Sequence, residues 1–218
     1  MSSLRLRYQT IEFGEVDIHL RTLRDNQEFQ DKDGEAEKLG ISSASWPLFG
    51  VVWDAGKVLA HHMCDYDIAD KRILEVGCGI GLTSLLLNHR LADITATDYH
   101  PEAGNFLKEN VDLNNGSHIP FERTGWADTD DGLGLFDLII GSDPLYEREH
   151  VALLSEFIHQ HAQPSCQVVI VDPGRGRKNK LSSRLVDFGF TSSQHQPENT
   201  DYLDEKFKGY ILTFKRSA

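Results

Sequence analysis

Residues 73–82 read ILEVGCGIGL. An apolar run of strand length, "RILEV" (72–76), ends in glycines at 77, 79 and 81 and continues into "LTSLLLNHRL", a segment of helical length and pattern. Glycines in a strand-to-helix turn permit positive φ and let a ligand touch bare backbone. The helix that follows offers free N–H groups to a carboxylate or a phosphate. The spacing is GxGxG. The dinucleotide fingerprint GxGxxG would need glycine where Leu82 stands, and a P-loop would need a Gly-Lys-Ser/Thr that is missing. Asp98 ends the next apolar run, about twenty residues after Gly77, where doubly wound folds place a carboxylate that accepts from ribose hydroxyls. The stretch therefore predicts a nucleoside ligand without a demand for pyrophosphate.

Outward from this turn, short apolar runs recur: "DITAT" (93–97), "FDLII" (136–140) and "QVVIV" (167–171). Each is apolar enough to be buried on both faces, as in a parallel sheet. Helix-length segments lie between them, and the one at 149–162 places Val151, Leu154, Phe157 and Ile158 on one face. Strand–helix alternation predicts an open doubly wound α/β sheet. The tail, "FGFTSSQHQ" and "GYILTFKRS", reads as two strands with no room for a crossover helix, hence antiparallel. At the other end, "LRLRYQTIEF" and "VDIHLRTL" alternate apolar and polar around Phe13-Gly14-Glu15, which predicts a β-hairpin. Residues 25–45 are polar and aperiodic and read as a mobile connector. The expected division is a hairpin and connector over 1–45 and an α/β domain over 46–218.

The 218 residues carry a formal net charge of −12, with 39% hydrophobic and 26% charged residues, ordinary values for a globular protein. Proteins that grip a phosphate backbone show a basic patch. Here the compact basic cluster is Arg175, Arg177, Lys178 and Lys180 in "RGRKNK", read as a solvated loop. Nucleic acid is therefore not an expected partner. Cys64, Cys78 and Cys166 form no CxxC pair, which argues against disulfides and zinc and for a reducing compartment. The ten histidines show no metal-ligand spacing, so no metal is expected. The first residues lack an apolar leader core and no run is long enough to span a bilayer, which makes a cytoplasmic protein without a membrane partner the expectation.

Glu75-Val-Gly77-Cys-Gly79-Ile-Gly81 followed by Thr97-Asp98 resembles the first two motifs of the class I, seven-β-strand S-adenosylmethionine-dependent methyltransferases. The resemblance covers residues from about 46 onward. It implies a Rossmann-like seven-stranded sheet with an antiparallel C-terminal strand, here with an N-terminal hairpin added, and S-adenosylmethionine as cofactor. It further implies that Gly77, Gly79 and Gly81 flank the methionine part, with Glu75 nearby. Asp98 would hold the ribose, and Trp126 and Asp128 in "GWAD" would contact the adenine. Trp126 also suits a plain core position, since tryptophan is usually largely buried. "WPLFGVVWDAGKVLAHHM" (46–63) is similar to the segment preceding the first strand in the protein-lysine methyltransferase subgroup, where the tryptophan matching Trp53 lines the cofactor pocket. That subgroup carries Asp-x-x-Tyr after the fourth strand, matched by Asp143-Pro-Leu-Tyr146. "DPGRGRK" (172–178) departs from the pattern.

The tip "GSDPLYE" (141–147) then falls at the carboxyl ends of the strands, where open α/β sheets bind ligands. Ser142 is expected to border the cofactor. Asp143 is expected to receive and orient a substrate ammonium, and Tyr146 to offer it an aromatic face. The resemblance implies a protein lysine as substrate. Asp-Pro-Leu-Tyr also resembles the Asn/Asp-Pro-Pro-Tyr of methyltransferases acting on adenine or on glutamine side chains, with Leu145 in place of the second proline. A cofactor-binding module without catalysis is the remaining alternative, opposed by the intact glycine loop, Asp98, Asp143 and Tyr146.

Overall fold

The computed structural model describes residues 4–128, 132–147 and 149–217. The hairpin is β1 (Leu6–Phe13) and β2 (Val16–Leu23), paired antiparallel as a two-stranded sheet of its own. The α/β body follows in the order α1 (Glu35–Lys38), α2 (Asp54–Met63), β3 (Arg72–Val76), α3 (Leu82–His89), β4 (Asp93–Asp98), α4 (Ala103–Leu113), β5 (Phe121–Arg123), β6 (Phe136–Ser142), α5 (His150–His161), β7 (Ala162–Asp172), α6 (Lys178–Asp187), β8 (Thr191–His195) and β9 (Tyr210–Arg216).

The large sheet has the order β5-β4-β3-β6-β7-β9-β8. Neighbours are parallel from β5 to β7, and β9 runs antiparallel to both β7 and β8. This is the expected Rossmann-like sheet with its reversed C-terminal strand. Along β3 the side chains alternate between two cores. Ile73 joins one with Leu59, Leu86, Phe106 and Leu138; Leu74 and Val76 join the other with Phe157, Leu181, Ile170 and Phe214. Period-two alternation with both faces apolar is what the runs require once helices cover both sides, α2, α3 and α4 on one face and α5 and α6 on the other.

The hairpin contributes Phe13, Ile18, Leu20 and Leu23 to the first core. Its β2 edge is met by asparagine side chains of α4. Asn110 Oδ1 accepts from the Arg21 N–H at 2.7 Å, Asn114 Oδ1 accepts from the His19 N–H at 2.8 Å, and Asn114 Nδ2 donates to the His19 carbonyl at 2.7 Å. Side-chain amides thus take the place of a neighbouring strand and satisfy an exposed edge.

Two expectations are corrected. Residues 25–45 are not a loose connector: Phe29 and Ala36 are buried, Phe29 packs edge-on to Trp46, Phe49 and His100, and the Tyr99 hydroxyl donates to the Leu39 carbonyl at 2.7 Å. Three apolar residues in a polar stretch carry the packing, Phe29, Ala36 and the partly buried Ile41, too few to register as a period. Nor is "RGRKNK" a solvated loop throughout. Lys178 opens α6, Arg177 donates to the Leu145 carbonyl at 3.2 Å, and Arg175 is ion-paired to Asp143.

Candidate functional site

Sheet register assembles the site. Val76 lies beside Thr97 on one side and Gly141 on the other, and Ser142 lies beside Val171. The chain leaving β3, β4, β6 and β7 therefore emerges along one edge, with Gly77, Asp98, Asp143 and Asp172 as near neighbours. Strand order reverses between β3 and β6, the switch point where open α/β sheets hold their ligands. A cleft of about 430 Å³ opens there.

The glycine loop forms its floor. Gly77 and Gly79 have φ of 65° and 58°, and a Cβ at either would meet nothing within 4 Å, so both present bare backbone to open space. This is a cradle that side chains would fill. Gly81 differs: at φ 85° it is the N-cap of α3, and a Cβ there would collide with Leu107 in the core. It shapes the turn from behind, and the cleft wall is made by Gly77, Cys78, Gly79, Ile80 and Leu82.

Two carboxylates brace the loop. Asp98 Oδ2 accepts from the Gly79 N–H and Oδ1 from the His100 N–H, both at 2.8 Å. Burial pushes the Asp98 carboxyl up, and those backbone donors pull it part of the way back. Each oxygen keeps a second lone pair for a ligand hydroxyl. Glu75 is 3% exposed and accepts from the Ser84 N–H at 2.9 Å and from the Ser84 hydroxyl, satisfying an orphan donor in the first turn of α3. Burial raises it to about 7, against the opposing hydrogen bonds from Ser84. His100 is stacked on Phe49, with centroids 3.7 Å apart, and burial lowers it to about 4.

Trp126, Asp128, Trp53 and Ser142 all line the cleft. Asp128 Oδ2 closes its own turn, accepting from the Gly125 N–H at 2.6 Å and from the Thr124 hydroxyl at 3.2 Å. Trp126 is half-buried and meets His150 edge-on at 5.1 Å, so it is both a packing residue and a wall. Trp53 precedes α2 and donates through Nε1 to the Leu48 carbonyl at 2.8 Å, which fixes its ring.

The strand tip closes one end. Asp143 stands at φ 49°, left-handed backbone that a non-glycine residue rarely adopts and that concentrates at functional sites. Its N–H donates to the Val171 carbonyl at 2.8 Å. Its carboxylate is not free, because Arg175 donates to both oxygens. Tyr146 lines the cleft, 40% exposed, and burial together with Asp98, Glu147 and Asp143 pushes its phenol up to about 12. His150 braces the tip: its Nδ1–H donates to the Pro144 carbonyl at 3.1 Å and its ring meets Tyr146 edge-on at 4.4 Å. Burial lowers His150, opposed by the Pro144 carbonyl and Glu147.

Sequence reasoning missed His150, His100 and Arg175. The first two lay inside helical or loop pattern with no motif around them. Arg175 sat in a stretch already marked as foreign to the family pattern, which was the available signal.

Fold and cleft together define a Rossmann-like, seven-strand methyltransferase architecture. The chain belongs to the lysine methyltransferase family, whose model matches residues 41–183. Relatives include Protein N-lysine methyltransferase METTL21A of Danio rerio, 34% identical over 129 residues, covering 54% of this chain and 59% of the relative. Protein-lysine methyltransferase METTL21E of Bos taurus is 30% identical over 167 residues, covering 68% of this chain and 56% of the relative. The chain thus spans little more than half the length of these curated relatives. Among solved structures, a ribosomal protein L11 methylase from Lactobacillus delbrueckii subsp. bulgaricus shares the fold, with a TM-score of 0.61 at 21% identity over 79% of this chain and 83% of that one.

Proposed function

We propose that this chain is an S-adenosylmethionine-dependent methyltransferase that methylates a lysine side-chain nitrogen of a protein substrate. The observation that carries the proposal is the joining, in one cleft, of a bare-backbone cradle backed by Asp98 with the tip Asp143–Tyr146. The residues suit the cofactor. Gly77 and Gly79 would leave room for its methionine part beside Glu75, Asp98 would accept from the ribose hydroxyls, and Trp126 and Asp128 would hold the adenine. Trp53 and Ser142 complete the wall. When bound, S-adenosylmethionine would supply an electrophilic methyl carbon: the N–C bond to a neutral amine would form as the S–C bond breaks, with S-adenosylhomocysteine as the leaving group.

The protein's part is to deliver that amine. Losing the proton of a lysine with pKa near 10.4 at pH 7.4 costs roughly 4 kcal/mol. Asp143 attracts the ammonium and sets its approach, and alignment accounts for much of the rate of such displacements. Tyr146 offers a ring face to the cation, and its phenol oxygen accepts from an N–H of the neutral amine, leaving the nitrogen lone pair free for attack. With its phenol pushed up to about 12, Tyr146 stays protonated at neutral pH and is not the base. Pairing with a cation stabilises the charged form of Asp143, which makes it a poor base and leaves water to take the proton. A net charge of −12 favours a basic protein segment over a phosphate backbone as partner. Cys78 and Cys166 are buried free thiols, in keeping with the reducing cytoplasm where we place the reaction.

Calorimetric titration with S-adenosylhomocysteine and with NAD tests the cofactor assignment. The expected result is binding of the first and none of the second. Tight NAD binding without a response to S-adenosylhomocysteine would overturn it.

A further inference from the structure

The acid expected to meet the substrate's ammonium already holds a cation. Asp143 takes a bidentate pair of hydrogen bonds from Arg175, with the carboxylate side chain 17% exposed and the guanidinium 36%. This pair stands in a partition. On one side is the cleft with the glycine cradle. On the other is an outer groove of about 640 Å³, lined by Asp54, Glu205, Lys206 and Phe207. Trp53, Asp143 and Arg175 belong to the walls of both.

We propose that Arg175 is a selectivity residue that holds the substrate's place: its guanidinium sits on Asp143 where the lysine ammonium must sit, and the lysine enters from the outer groove by exchanging with it. The proposal rests on the methyltransferase function above and names the route and the discrimination built into that site.

Three features support exchange over a permanent brace. The backbone and side chain of Arg175 are held separately. Its N–H donates to Asp172 Oδ1 at 3.4 Å, and Arg177 pins the following chain to the Leu145 carbonyl at 3.2 Å, so the guanidinium can swing away by side-chain rotation alone. At one-third exposure it has solvent to swing into. A cation-for-cation exchange never leaves the carboxylate in the wall unpaired, which avoids the main cost of opening a shielded ion pair. The left-handed backbone at Asp143 aims the acid at this partition, where a plain turn-capping aspartate would spend its oxygens on backbone N–H groups.

The exchange also explains a demand for a protein substrate. A lone ammonium makes fewer bonds to a carboxylate than a guanidinium fork does. Free lysine therefore competes poorly with Arg175. A polypeptide lying in the outer groove adds contacts to Asp54, Glu205, Lys206 and Phe207 that tip the exchange.

The test uses the full chain loaded with S-adenosylhomocysteine and titrated with N-acetyl-lysine methylamide. S-adenosylhomocysteine affinity is measured first for every variant. Arg175→Ala is expected to bind the amine roughly five- to tenfold more tightly than the unmodified chain, the scale of a partly shielded bidentate pair. Arg175→Lys should fall between, and adding Asp143→Asn to Arg175→Ala should erase the gain. Should Arg175→Ala fail to fold, Arg175→Gln removes the charge with similar bulk and carries the same expectation. Amine affinity that is unchanged, weaker or undetectable in the folded, S-adenosylhomocysteine-bound variant overturns the proposal, as does a lowered melting temperature with unchanged amine affinity. Failure of the unmodified chain to bind S-adenosylhomocysteine would instead overturn the underlying function.

Discussion

Alanine at Gly79 and at Gly81 should damage the protein in different ways, although both glycines belong to one motif and both have positive φ. An L residue in left-handed backbone costs roughly 1–2 kcal/mol at either site. At Gly79 the added methyl points into open space within the cleft, so strain is the whole stability cost. In a chain of this length that lowers the melting temperature by roughly 2–8 °C. At Gly81 the methyl collides with Leu107, which is 2% exposed and closely packed. Overpacking adds roughly 1–3 kcal/mol, so Gly81→Ala should cost about twice as much as Gly79→Ala. Affinity should follow the opposite order. Gly79→Ala occupies the cradle and should weaken S-adenosylhomocysteine binding at least tenfold. Gly81→Ala should largely keep it per folded molecule. Thermal unfolding and calorimetry on the two variants give both quantities. Equal affinity losses, or a larger loss at Gly81, would refute the assignment of the cradle to Gly77 and Gly79.

Other outcomes follow from the same geometry. Glu75, raised from 4.5 to about 7 by burial, favours the fold in its protonated form. That stability is fully present below pH 4.5 and is lost as pH rises through 7, by about 3 kcal/mol relative to Glu75→Gln. Chemical denaturation of both chains without ligand checks this, and parallel pH profiles would contradict it. Asn110 is fully buried and joins the Arg21 N–H to the Ile80 carbonyl, so it ties the hairpin to the glycine loop. Asn110→Ala should cost about 2–4 kcal/mol by orphaning two backbone groups and should speed hydrogen exchange in both segments; exchange confined to the hairpin would argue against the link. Asp143→Ala should keep most cofactor affinity and lose transfer by orders of magnitude, and Tyr146→Phe, which retains the ring, should lose less. Full turnover per folded molecule in Asp143→Ala would return the acid to a turn residue.

The sheet was legible because its runs are apolar on both faces, which leaves few alternatives once helix-length segments separate them. The glycine loop was legible because backbone approach demands glycine and leaves a fixed spacing. Helix α6 was not foreseen, since it starts inside a basic stretch and buries Leu181 and Leu185 alone. The seating of residues 25–45 was hidden for a like reason, resting on Phe29, Ala36 and Ile41. At the site, sequence named the walls but not their partners. Nothing in "DPGRGRK" says that Arg175 reaches across 32 positions to Asp143, because that pair depends on the register of β6 against β7, and the donation from His150 to Pro144 depends on the turn between β6 and α5, which no local motif marks.

The central claim is transfer of a methyl group to a lysine through Asp143. The most direct measurement incubates the chain with methyl-labelled S-adenosylmethionine and a lysate from cells lacking it, and locates the label by mass spectrometry. The predicted result is label on a lysine nitrogen of a protein, absent with Asp143→Ala at unchanged cofactor affinity. Label on nucleic acid, or none in a lysate whose cofactor the chain demonstrably binds, would contradict the account.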